Sequence, residues 1–139
     1  MKNITFEELK SMLLYRKIVK WTKDEITLDN GVSITIQCTE QDCCAWASGE
    51  FSKLELDAAI TDVTEIDYSA DTEEYYTRRT FALVKLLHNQ EPICEITGEA
   101  DGGNGGYYYS IASFIVSVPN DDECLCCYFV GDSDGYVEE

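Results

Sequence analysis

At 139 residues the chain is long enough to bury a hydrophobic core without metal or disulfide staples. Its 27 acidic residues against 10 basic ones leave a formal net charge of −17, which argues against direct binding to nucleic acid or to a membrane surface. No apolar run approaches the length of a membrane span, and MKNITFEELK carries charges where a secretory signal needs an unbroken apolar region, so a cytoplasmic protein is expected.

The charge is unevenly distributed. Residues 1–23 hold six bases and two acids, whereas from residue 86 onward there are eleven acids and no Lys or Arg. Between residues 54 and 139 the only bases are Arg78, Arg79 and Lys85.

Thr5-Phe6-Glu7-Glu8 reads as a capping box, with Ile4 and Leu9 placed for the accompanying hydrophobic staple. Phe6, Leu9, Met12 and Leu13 recur at helical spacing and predict a short amphipathic helix over 5–14. A helix this short is not stable alone and must pack on a sheet, its own or that of a second copy, and a homo-oligomer is the expected assembly. Strands follow at 18–21 and 25–28, then Asp29-Asn30-Gly31 supplies a hairpin turn. Val32, Ile34 and Ile36 alternate with polar residues and predict a half-buried strand.

After the Asp42-Cys43-Cys44 box, Gly49-Glu50 reads as a turn, and residues 51–59 fit a short helix or a strand edge equally. Residues 60–68 alternate, Ser69 to Glu74 reads as an acidic loop, and Tyr75 to His88 as a long strand with Arg79, Phe81 and Lys85 on one face and Arg78 on the other. Asn89 to Pro92 turns the chain into a strand at 93–97. A glycine-rich hinge around Asn104 then opens into Tyr107, Tyr108 and Tyr109, and a last strand covers 125–130. The fold class expected is α+β, mainly β: an antiparallel, meander-like sheet (17–130) with one short N-terminal amphipathic helix, a single domain over 1–130 ending in an acidic, loose tail at 131–139.

Seven cysteines, an odd number with two adjacent pairs, suit reduced thiols better than a disulfide framework. Their spacing does not match a structural zinc site, so no metal and no cofactor are expected. One histidine, His88, and the absence of nucleophile-elbow, P-loop or His-rich metal motifs argue against an enzyme. Cys43 and Cys44 follow Glu40 and Asp42, whose negative charge disfavours a reactive thiolate.

Binding is the class left. Arg78 and Arg79 have the chemistry to grip a phosphate or pyrophosphate bidentately, Phe81 or Tyr107 to stack on a base, and Asn104 to hydrogen-bond a base or ribose edge. The plainer alternatives are that the arginines pair with Glu73, Glu74 and Glu99, and that the glycine hinge is a hairpin bend leading into a central strand.

The succession LDNGVSITI, QDCCAWA, TDVTEID, TFALVKL and GGNGGYYYSIASFIVS resembles a group of small bacteriophage proteins with an Asn-Gly or Asp-Gly turn, an Asp-Cys-Cys box and an Asn-Gly-Tyr-Tyr-Ser box. The likeness spans roughly residues 15–118. It departs in an added glycine and tyrosine in the last box, and in Arg79-Thr80-Phe81 where the group tends to carry Trp-Thr-Phe. The layout is also similar to the first type of anti-Thoeris sponge proteins of phages, which sequester cyclic ADP-ribose signals. That resemblance implies a non-enzymatic anti-defence protein binding a cyclic ADP-ribose-like nucleotide, with Phe81 and Tyr107 stacking, Asn104 on ribose or base, and Arg78 and Arg79 on phosphate. The competing expectation is an acidic protein–protein inhibitor that imitates nucleic acid and blocks a host defence protein such as a CRISPR effector. A phage accessory protein with no small ligand is the third possibility.

Overall fold

The computed structural model describes residues 1–41, 45–53, 55–71, 79–102 and 109–133. The chain is α+β and mainly β, as its periodicities predict. Its elements in order are β1 (Lys2–Asn3), α1 (Phe6–Leu13), β2 (Ile18–Trp21), β3 (Glu25–Leu28), β4 (Ser33–Gln41), β5 (Trp46–Lys53), β6 (Asp62–Val63), β7 (Asp67–Asp71), β8 (Arg79–His88), β9 (Glu91–Asp101), β10 (Tyr109–Ser117) and β11 (Leu125–Ser133).

Local chemistry explains the helix. The Thr5 hydroxyl accepts from the Glu8 amide at 3.1 Å, while the Thr5 amide donates to the Glu8 carboxylate at 3.2 Å, so two otherwise unmatched donors are satisfied. Leu9 and Leu13 are buried, and Phe6 and Met12 pack against the same core. In the hairpin after β3, Gly31 takes φ +89° and the Asn30 side chain accepts from the Val32 amide at 3.2 Å.

The strands divide between two sheets. The first has the order β1-β11-β10-β4-β3-β2 and the second β5-β9-β8-β6, with β7 also pairing on β8. All pairings are antiparallel except β1 with β11. Meander runs survive in β2–β3–β4, β8–β9 and β10–β11, but the chain leaves the first sheet after β4 and returns to it at β10. Inward residues of both sheets, among them Ile34, Phe114 and Phe129 on one side and Phe51, Val84 and Ile96 on the other, make one core into which α1 sends Leu9 and Leu13.

The layers come close at a glycine pair. Gly49 of β5 lies opposite Gly98 of β9. A Cβ on Gly98 would stand 2.4 Å from the Phe129 ring, and one on Gly49 would stand 2.8 Å from Ile36. This overturns the turn expected at Gly49-Glu50: β5 runs straight through it, because glycine here serves close approach rather than reversal. Hydrogen bonds clasp the layers at their margins. The Trp21 indole donates to the Phe51 carbonyl at 3.0 Å, and the Tyr68 hydroxyl to the Phe129 carbonyl at 2.7 Å. The buried Ser110 hydroxyl sits 2.8 Å from the Trp46 carbonyl and 3.0 Å from that of Asp101.

Other boundaries shift for identifiable reasons. The 60–68 strand is two short pieces, since the buried residues are Ile60 and Val63 rather than an alternating set. β9 extends beyond the expected 93–97 to Asp101, paired throughout with β5 and β8. β11 extends to Ser133 by pairing with Tyr109, into the stretch expected to be tail, while residues 134–139 lie outside the described residues.

Gly98→Ala should destabilise the fold by about 1–3 kcal/mol through overpacking, read as a lower urea midpoint at unchanged slope; an unmoved midpoint refutes the close-approach account. The Asp62 carboxyl is held below the usual aspartate range, first by the Val63 amide at 2.8 Å and then by Lys10 at 3.4 Å. A group whose folded pKa is depressed contributes stability above its unfolded pKa and loses it as pH falls through the folded one. In an NMR titration, Lys10→Ala should raise the Asp62 midpoint while leaving it below that of a free aspartate, because the backbone bond remains.

Candidate functional site

Strand alternation sends Ala82, Val84 and Leu86 of β8 into the core, so Arg79, Phe81, Leu83 and Lys85 face outward on the second sheet. The register sets Asp101 opposite both Arg79 and Trp46, and Glu99 opposite both Phe81 and Ser48. Thr97 in turn lies between Glu50 and Leu83.

Arg79 therefore has carboxylate neighbours by construction. Its Nε lies 3.2 Å from the Asp101 carboxylate and 3.7 Å from that of Glu99. Asp101 is only 6% exposed, so the guanidinium offsets the desolvation of a nearly buried charge. The pairing expected with Glu99 is present, and the closer partner is Asp101. Sequence reasoning passed over Asp101; the signal that would have found it is cross-strand register.

Next to this pair is a cleft of about 410 Å³ on the outer face. Phe81 supplies its aromatic wall, Ser48, Glu50, Thr97 and Glu99 its polar lining, and Lys23 and Asp24 of the β2–β3 turn its rim. The Phe51 amide donates to the Lys23 carbonyl at 2.8 Å, which fixes that turn beside β5. Across the outer face Glu50, Asp67, Glu95, Glu99 and Asp101 outnumber Arg79 and Lys85, and the surface is net acidic.

Of the five residues predicted from sequence to bind ligand, the structure brings Arg79 and Phe81 to this face, two residues apart. Arg78, Asn104 and Tyr107 lie outside the described residues, as do Cys43 and Cys44. The strand ends that flank them converge: Gln41 pairs with Ser110, and Trp46, Arg79 and Asp101 share one cross-strand row.

Two of the thiols and the histidine are tied into the fold. Burial pushes the Cys94 and Cys127 thiols up to about 12, with smaller contributions from Glu95 at Cys94 and from Cys126 and Glu8 at Cys127. His88 is half-buried, with Nδ1 2.7 Å from the Ala59 carbonyl and Nε2 3.2 Å from the Asn89 side-chain amide. Among the described residues no three of His, Cys, Asp and Glu gather as a metal would require. Among them, too, no helix is long and apolar enough to cross a membrane.

The described residues thus form a two-layer β structure with an acidic, partly aromatic cleft on one outer face. Residues 11–115 match the model of a family described as a domain of unknown function, DUF7448, and the chain belongs to that family. No curated protein and no solved structure matches it.

Arg79→Ala should cost about 1–2 kcal/mol, since it removes a cation paired with the nearly buried Asp101, and Asp101→Asn in the same chain should recover part of that loss. Chemical denaturation of the two variants checks this, and equal stability of Arg79→Ala and the parent refutes it. Under native conditions at neutral pH a thiol reagent should label the exposed Cys38 and spare Cys94 and Cys127 until the chain is unfolded.

Proposed function

We propose that the chain is a non-enzymatic binding protein that engages a basic partner through the outer face of its second sheet. The observation that carries this reading is the state of Arg79. Its Nε is committed to Asp101 and Glu99, and the cleft alongside has more acids than bases. An incoming phosphate would have to share the guanidinium with two carboxylates and approach a chain of net charge −17. A lysine- or arginine-bearing surface meets complementary charge instead, with Phe81 offering a cation–π face. On this reading the acidic face imitates nucleic acid and occupies the basic groove of a host defence protein.

Capture of a cyclic ADP-ribose-like nucleotide is the second reading. It is favoured by the pairing of Asp101 with Arg79, the strand ends next to segments 103–108 and 72–78, in whose sequence Asn104, Tyr107 and Arg78 lie.

Titration with a short arginine- and lysine-rich peptide separates the two. Binding should weaken at least tenfold between about 50 and 500 mM salt. Glu50→Gln combined with Glu99→Gln should weaken it by a similar factor, whereas Asp122→Asn combined with Glu123→Gln, which removes as much charge elsewhere, should have little effect. Equal losses from both pairs would mean unspecific attraction to a polyanion and overturn the proposal. A rise in thermal midpoint with cyclic ADP-ribose isomers, abolished by Arg79→Ala, would establish the nucleotide reading in its place; saturation at 100 times Kd contributes about 2.7 kcal/mol, several degrees for a domain of this size.

A further inference from the structure

The two outer faces of the molecule differ in charge. On the first sheet, residues 33–39 of β4, 111–118, which take in most of β10, and 124–130, which take in β11 up to Val130, contain no charged residue, although 27% of the chain is charged. Their core-facing positions, such as Ile34, Phe114 and Phe129, are apolar as any core demands. The outward positions have no such reason to avoid Asp, Glu or Lys. There the register lines up Thr35 with Ile115 and Cys126, and Gln37 with Ser113 and Tyr128. Ile115 is only 7% exposed and Ser113 2%, so neighbouring side chains close over the centre of this face. The Tyr128 side chain lies along the strand, where a Cβ on Gly131 would meet its hydroxyl at 2.8 Å. Glu25, opposite Thr35, and Glu40, opposite Ile111, mark where charge resumes.

We propose that this face is a self-association surface, on which a second copy of the chain packs sheet against sheet about a twofold axis. The electrostatics select the occupant. A basic partner finds its complement on the second sheet, whereas another chain of charge −17 is repelled wherever acids face acids. The charge-free face is where two such chains meet without opposing like charges, and depletion of charge is the mark of an interface centre. Three strands about 4.8 Å apart and roughly 20 Å long give a patch well short of the ~800 Å² per partner of a standard interface, so the association is weak and reversible.

The sign of its salt dependence separates it from partner binding at the acidic face. Sedimentation equilibrium on the full chain under reducing conditions, from about 10 μM to 1 mM protein, should show a monomer–dimer equilibrium. Its association constant should rise at least tenfold between about 50 and 500 mM salt, as screening removes the net repulsion. Gln37 is exposed, so both Gln37→Glu and Gln37→Lys should fold with unchanged thermal midpoints. Both should abolish the dimer, the lysine variant despite lowering the net negative charge. A monomer under all conditions, an association that weakens with salt, or one that survives Gln37→Lys would each overturn the proposal.

Discussion

The approach of the two sheets at Gly49 and Gly98 sets where the rest of the molecule can go. Two facing layers exclude water only if their inward side chains interlock, and here the contact is close where Phe129 and Ile36 lie over backbone rather than over side chains. Phe129 in turn stacks at 4.4 Å between ring centroids, tilted by 32°, on Phe114 of the neighbouring strand. With the central strands held this close, the margins are drawn within hydrogen-bonding reach, and the Trp21, Tyr68 and Ser110 bonds complete the closure. The helix then covers what the sheets leave open, with Leu9 and Leu13 buried in the shared core.

That packing also fixes the chemistry of the outer faces. Once Gly98 and Ala100 point inward, Thr97, Glu99 and Asp101 must point outward, and the β8 register delivers Phe81 and Arg79 opposite them. Arg79 is thereby a cation within an acidic surface, and its contribution is to let Asp101 be nearly buried. The same alternation on the first sheet leaves a surface of hydroxyl, amide and thiol groups without charge. One molecule thus presents an outer face crowded with acids and another that is uncharged along its centre.

Much of the local structure was legible in the residues. The capping box at Thr5 and Glu8, the strands at 18–21 and 25–28, the Asn30-Gly31 turn and the outward set on β8 depend on neighbours in sequence. Gly49 misled because a glycine needed for close packing and one needed for a turn look alike until the facing layer is known. The candidate site was half legible. Arg79 and Phe81 stood out by their scarcity and chemistry, whereas the cleft they border also draws on Ser48, Glu50 and Lys23, residues far away in sequence.

The sequence by itself determined the class of fold, the helix and its cap, the strand periodicities and the acidic character of the surface, because all of these follow from composition and from contacts within a few residues. Only the tertiary structure decided that the strands form two sheets, that Asp101 rather than a glutamate is the nearer partner of Arg79, and that acids crowd one outer face while the other has none along its centre. Those features rest on pairing between strands tens of residues apart, and such pairing is set by how side chains from both layers fill one core.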